Sequence, residues 1–319
     1  EMIEEEIGKK ENLHGINTLF ADNENRLWIG TGTGITIYDI PAKKILGSLN
    51  TSNGFPDNSI QCIIQPYGNE IWIGTENSGI IRLRKDKISF RGINMADSAL
   101  VRKISTADKL TSDNIRTLYT GKDQTVWIGT KKDGINQFVR YGNNADFVGG
   151  DINVFSNKFE LKYYNATVFF QDREDNIWIG TEIGLHRYTG ELFRVYSYND
   201  GLLNNLVWAI LYDRNGNFWF STSEGVSRFT FPERNGQKQY SNPSVKNYTV
   251  ADGLPDNLII SMFEDGKGNI WFGTQNKGVS VLTKEIKKTK REDIEVAVFK
   301  NFSVVDGLID NNVFSISED

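Results

Sequence analysis

Six times this chain spells nearly the same five residues: an aliphatic or aromatic residue, Trp, Ile or Phe, Gly or Ser, then Thr. It reads LWIGT from Leu27, IWIGT from Ile71, VWIGT from Val126, IWIGT from Ile177, FWFST from Phe218 and IWFGT from Ile270. The tryptophans Trp28, Trp72, Trp127, Trp178, Trp219 and Trp271 stand 44, 55, 51, 41 and 52 residues apart. Self-similarity at that period marks a repeat architecture, in which each unit stacks on its neighbours. A repeat array also lets 319 residues form one region rather than two ordinary domains.

A second apolar run precedes each Trp by 8 to 12 residues, as in Ile16–Phe20, Ile115–Tyr119 and Val207–Leu211. Short polar turns separate the two runs: Asp22-Asn23-Glu24-Asn25, Asp172-Arg173-Glu174-Asp175, Asp213-Arg214-Asn215-Gly216 and Asp265-Gly266-Lys267-Gly268. Asp, Asn and Gly there are hairpin chemistry, so the runs read as antiparallel strands. A turn ending in Gly (Gly34, Gly79, Gly134, Gly184, Gly225, Gly278) leads to a third strand, and a more variable fourth follows, as in Phe193–Tyr196. Four strands per repeat, with no helical periodicity, predict the all-β fold called a β-propeller, with length variation at the rim. Aromatics at 12%, with 30 Gly and only 6 Pro, suit such a turn-rich sheet protein. The six repeat tryptophans are expected to wedge between blades, each indole N–H finding a backbone partner. The Gly-Thr after each one is expected to allow close backbone approach.

Another phrase recurs between blades: Asn53–Asn58, Asp200–Asn205, Asp252–Asn257 and Asp306–Asn311. The last copy is followed by Val313–Asp319, in register with the first strand of a blade. Six complete blades are thus expected at about 12–52, 58–110, 113–162, 164–202, 205–254 and 257–308. A partial seventh is expected at 311–319, with 2–8 as a closing strand. Such a pattern reads as a piece of a longer polypeptide whose propeller has seven blades. Open strand edges invite pairing with another chain, so a homodimer is one expected partnership.

The combined pattern closely resembles the two-component regulator propeller repeat. It stands here as Gly253-Leu254-Pro255-Asp256-Asn257, Phe263-Glu264-Asp265, Gly268-Asn269-Ile270-Trp271-Phe272-Gly273-Thr274 and Gly278-Val279. The resemblance extends over essentially the whole chain. It implies the periplasmic sensor region of a membrane-bound hybrid histidine kinase of the kind found in Bacteroides-like gut bacteria. It further implies a glycan fragment as input, transcription of polysaccharide-use genes as output, and the remainder of the sensor protein as a partner.

Chemistry is sparse. The net charge is −5 and the basic residues are scattered, which argues against nucleic acid as a partner. No stretch of 18 apolar residues predicts membrane insertion. Cys62, the single cysteine, lies in an apolar run and reads as a small hydrophobe. The two histidines, His14 and His186, belong to different blades and predict no metal site. Asp213–Asn217 imitates the start of a calcium loop, with Glu224 at the twelfth place. Phe218, however, holds the sixth, where the sharp turn needs Gly, so a hairpin turn is expected. No nucleophile elbow or phosphate-cradling loop appears, and neither a catalytic residue nor a cofactor is predicted.

One internal comparison points to a ligand site. Eleven residues before the repeat tryptophans stand Asn17, Gln61, Arg116, Thr167, Trp208 and Ile260, varied in size and polarity. One place on stand small or modest residues: Thr18, Cys62, Thr117, Val168, Ala209 and Ser261. His14, Asn58, Asp113, Tyr164, Asn205, Asn257 and Asn311 mark the strand starts, and read either as turn caps or as a polar ring facing a sugar. Arg116, Tyr164 and Trp208 would then supply a cation and stacking surfaces, with Asn17, Gln61, Asn58, Asn205 and Asn257 as amide contacts. The leading expectation is a non-enzymatic sensor propeller for oligosaccharide. A dimerisation propeller without its own ligand, and a propeller lyase or glycosidase, are the alternatives.

Overall fold

In the computed structural model the described residues are 15–88, 94–95, 97–131, 133–141, 147, 149–155, 165–190, 192–288 and 293–318. Side chains of 284–288 and 293–297 are not among them. The proposed closing strand 2–8, His14 and Tyr164 therefore lie outside the described residues. The chain forms two compact units, one up to Phe169 and one from Phe170 onward.

Each repeat folds as a four-stranded antiparallel sheet with strands in chain order. Blade one comprises β1 (Ile16–Ala21), β2 (Arg26–Thr31), β3 (Gly34–Asp39) and β4 (Lys44–Leu49). Blade two comprises β5 (Ile60–Tyr67), β6 (Glu70–Thr75), β7 (Ile80–Arg84) and β8 (Val101–Ile104). In blade three they are β9 (Ile115–Thr120), β10 (Val126–Thr130), β11 (Ile135–Arg140) and β12 (Gly150–Val154). Blade four is β13 (Ala166–Gln171), β14 (Ile177–Thr181), β15 (Gly184–Tyr188) and β16 (Phe193–Tyr196). Blade five has β17 (Val207–Tyr212), β18 (Phe218–Thr222) and β19 (Gly225–Thr230). A small hairpin of β20 (Glu233–Arg234) and β21 (Gln237–Lys238) follows before its outer strand β22 (Ser244–Tyr248). Blade six holds β23 (Ile259–Glu264), β24 (Ile270–Thr274), β25 (Val279–Lys288) and β26 (Asp293–Phe302). The fold class is an all-β propeller of four-stranded blades. Within a unit the first strands of successive blades lie side by side: β1 by β5, β5 by β9, β17 by β23.

The second strand is the buried spine of each blade, and in four blades its Trp packs on the next blade of the same unit. Trp28 shares a core with Ile60 and Ile63, Trp72 with Ile115 and Phe138, and Trp219 with Ile259 and Phe272. Five of the six repeat tryptophans are at most 3% exposed, and Trp271 is half-buried. The expected backbone partner of the indole is corrected by the structure. The acceptor is the carboxylate at the first turn residue: Asp22, Asp172, Asp213 and Asp265 receive the N–H of Trp28, Trp178, Trp219 and Trp271 at 2.8–2.9 Å. The same Asp accepts from the backbone N–H two residues before that Trp: Arg26, Asn176, Asn217 and Asn269. A carboxylate has acceptor capacity for both the turn and the indole, whereas sheet carbonyls are already paired. Blade two has Pro66 at that place, and Glu70 on β6 takes the Trp72 N–H at 2.8 Å instead.

The Gly-Thr pair has two separate duties. Each Thr hydroxyl, from Thr31 to Thr274, donates to the carbonyl of the glycine that opens or precedes the third strand, at 2.8–3.1 Å. The preceding Gly lets the next blade approach. A Cβ on Gly74 would lie 2.5 Å from Cys62 Sγ and 2.7 Å from Ile115 Cγ2. Blade five has Ser221 there and Ala209 on the facing strand, with the Ser221 hydroxyl accepting the Ala209 N–H at 2.9 Å.

Candidate functional site

The varied positions of the first strands share a backbone feature. Ile16 pairs with Thr31 but Thr18 with Gly30, so Asn17 is skipped. The same skip falls on Gln61 between Ile60 and Cys62, and on Arg116 between Ile115 and Thr117. It recurs at Trp208 between Val207 and Ala209, and at Ile260 between Ile259 and Ser261. Five first strands therefore carry a β-bulge at one repeat position, and the bulged residue stands outside the ladder. Bulges bend a strand and re-aim a side chain, which frees that position from blade packing. The neighbouring small residues face the Gly-Thr strand of their own blade, where space is tight.

In the first unit these residues join a polar network. Asn17 donates from Nδ2 to the Ile60 carbonyl at 2.9 Å, tying one bulge to the next. Gln61 donates to Ser59 Oγ at 3.1 Å, and Ser59 donates to Glu76 at 2.8 Å. Arg116 is half-buried, and its charge reaches Cys62. Burial still dominates there and pushes the Cys62 thiol up to about 12, so it acts as a small hydrophobe. In the second unit Trp208 is half-buried at its bulge. Thr167 is half-buried on β13.

The strand-start asparagines hold turns. Asn58, Asn205, Asn257 and Asn311 each accept, through Oδ1, the first N–H of a short 3-10 turn seven residues back, at 2.8–2.9 Å. Asp113 does the same for Thr106 at 2.7 Å. The last polar residue of that turn closes a reciprocal cap, as when Asp252 accepts the Thr249 N–H at 2.9 Å. Each of these residues thus has one oxygen committed to the fold.

The remaining chemistry-bearing groups are built into the sheets. His186 on β15 is 2% exposed, and burial lowers its pKa to about 4, so it is neutral at physiological pH. Asp213 receives Asn217 N and Nδ2 and the Trp219 indole, all at 2.8 Å, so its two oxygens face protein donors as a hairpin turn requires. No group of three His, Cys, Asp or Glu side chains able to hold a metal occurs among the described residues. No helix among them is long and apolar enough to cross a membrane.

Blades pinned by a carboxylate–indole bond, with bulged first strands and glycine-opened contacts, define a repeat-built β-propeller. Residues 54–77, 109–132, 201–224 and 253–276 match the sequence model described as the two component regulator propeller. A curated relative, histidine kinase P4 of Formosa agariphila, is 26% identical over 309 residues, which take in 85% of this chain and 22% of the kinase. The chain thus spans about a fifth of that relative's length. The extracellular domain of the B. thetaiotaomicron one component system BT4673 matches over 96% of this chain and 38% of its own. The identity there is 23% and the TM-score 0.50. The β-propeller domain of Cps50 (Swd1) from Myceliophteria thermophila gives a TM-score of 0.54 at 10% identity, over 84% of this chain and 83% of its own. These two structural likenesses speak for the fold alone.

Proposed function

We propose that this chain is a non-enzymatic sensor propeller of a two-component signalling receptor, working outside the cytoplasm and responding to an oligosaccharide. Kinase and transcriptional output belong, on this reading, to other parts of the receptor. The family match and the histidine kinase relative support the signalling assignment. The observation that carries the ligand reading is the repeated bulge, which takes one residue out of the ladder in five first strands, four of those residues being unlike polar or aromatic side chains and the fifth Ile260. The proposed contacts are Asn17, Gln61, Arg116 and Asn58 in the first unit, and Trp208, Asn205 and Asn257 in the second. Tyr164 belongs to the same proposal by its place in the sequence. Amides and a guanidinium bond to hydroxyls, and an indole face stacks on sugar C–H groups.

Titration calorimetry with a panel of defined oligosaccharides tests this. Arg116→Ala and Trp208→Ala, each with its fold verified, are expected to weaken binding by several-fold to about tenfold, the equivalent of roughly 0.5–1.5 kcal/mol. Unchanged affinity in both variants would remove the bulge residues from the site and leave a structural or dimerisation propeller as the better reading.

A further inference from the structure

Between the outer strand of blade two and that of blade three lies a cavity of about 350 Å³, apart from the first-strand residues discussed above. Its volume falls at the small end of the roughly 300–1,000 Å³ usual for ligand pockets. Four of its ionisable lining side chains are cationic (Arg82, Arg102, Lys103, Lys109) and two are anionic (Asp108, Asp151). Both carboxylates already serve neutral donors. Asp108 accepts the Ser105 N–H at 2.9 Å and its hydroxyl at 3.2 Å, and Asp151 accepts a hydrogen bond from Tyr141. Arg82 is fixed by Glu70, at 2.9 Å from Nε and 2.7 Å from Nη2. Phe138 forms part of the cavity wall and lies 5.4 Å from that guanidinium.

Lys109 is the telling residue. It closes the 3-10 turn Thr106–Asp108 in the left-handed conformation, with φ of 76°. The equivalent turns end in Gly54, Gly201, Gly253 and Gly307, with φ between 94° and 114°. The turn itself is unaltered, because Asp113 and Asp108 make the same caps as their counterparts. A side chain in this conformation is disfavoured, so the exchange adds strain and contributes nothing to the turn. What it adds is an ammonium group at the cavity. Residues held in such conformations are a recognised pointer to function.

We propose that this cavity binds a small molecule carrying an oxyanion. Lys109, Lys103 and Arg102 face the anion, the Arg82–Glu70 pair stands behind them as a neutral wall, and Phe138 meets the apolar part of the ligand. The candidate anions share one chemistry, and the test separates a sugar carboxylate from an inorganic anion. Calorimetric titration of the full chain at low ionic strength, with glucuronate, inorganic sulfate and glucose, is the measurement. Glucuronate or sulfate is expected to bind and glucose not to; tighter binding of glucuronate assigns a sugar carboxylate, tighter binding of sulfate an inorganic anion. Lys109→Gly restores the repeat's own residue, and is expected to raise the denaturation midpoint while weakening anion binding by about tenfold. A purely structural lysine would not move those two readouts in opposite directions. Arg102→Gln is expected to weaken binding too, whereas Arg116→Ala and Trp208→Ala leave it intact, so this site stands or falls separately from the oligosaccharide reading. Glucose binding as tightly as glucuronate, failure of both anions to bind, or unchanged affinity in Lys109→Gly would overturn the proposal.

Discussion

Asp213 shows how much one side chain carries in this fold. Its oxygens hold the hairpin through Asn217 and anchor Trp219, which packs on the next blade, so local turn and inter-blade contact depend on the same carboxylate. Asp213→Ala leaves the indole N–H and the turn amide unpaired, and is expected to lower stability by about 2–3 kcal/mol in urea denaturation. A loss under about 0.5 kcal/mol would show that water substitutes for the carboxylate. Asp265 and Asp22 add a pH signature. Burial raises both, but hydrogen bonds from the indole, the turn amides and the neighbouring side chain outweigh it, bringing Asp265 to about 2 and Asp22 below its ordinary value. A lowered folded-state pKa means stability that is present above about 4 and lost as pH falls toward 2. His186 acts at higher pH. Its folded value near 4 lies below the unfolded 6.5, so the unfolded chain takes up the proton first. Stability is complete above about 6.5 and declines, by on the order of 2–3 kcal/mol, as pH falls to 4. His186→Gln, which cannot titrate, is expected to flatten that slope between pH 6.5 and 4; an unchanged slope would assign it to other groups.

At the scale of strands and turns, Gly74 and Ser221 are two solutions to one contact. Gly74→Ser alone forces its Cβ against Cys62 and Ile115, and is expected to cost about 1–3 kcal/mol. Adding Cys62→Ala recreates the Ser221–Ala209 pair of blade five, so the double variant is expected to recover 0.5 kcal/mol or more relative to additivity. Strict additivity in a double-mutant cycle would mean that Ile115, not Cys62, sets the limit. The strands themselves were legible in the sequence: the runs at Ile16–Phe20 and Phe193–Tyr196 fall within β1 and on β16. The bulges were not, because a one-residue register skip leaves the apolar pattern almost intact. Their trace was the variability of Asn17, Gln61, Arg116 and Trp208 beside uniformly small neighbours. The carboxylate–indole bond was equally hidden, since an Asp at a hairpin turn already has a sufficient local explanation. Nothing in the linear pattern revealed that blades two and three line an open cationic cavity, although Lys109 in place of a repeating glycine was a visible signal.

At the scale of the whole molecule, stability within each unit is a chain of nearest-neighbour contacts, because Trp28, Trp72, Trp178 and Trp219 each pack on the following blade. Blade six departs from that rule. Trp271 stacks on Phe302 of its own blade at 6.2 Å, as Trp178 stacks on Tyr196 and Trp219 on Tyr248, but a cavity of about 610 Å³ opens beside Trp271, Val279 and Phe302. Residues 312–318 run along this blade without joining a ladder, although Val313 N–H bonds to the Thr274 carbonyl at 2.9 Å and its carbonyl accepts from Ser261 at 3.1 Å. The segment lies against β23 and β24 but has no hairpin partner among the described residues with which to form a sheet. A Trp with fewer neighbours loses less when truncated. Trp219→Ala, at 2% exposure, is therefore expected to destabilise by about 3–5 kcal/mol, and Trp271→Ala by roughly half as much. Hydrogen exchange locates the damage: Trp219→Ala should raise exchange first in β18, β19, β23 and β24, where its neighbours sit. Equal losses for the two variants would mean that a second copy of the chain or another partner covers blade six in solution and completes the contact that Trp271 lacks here.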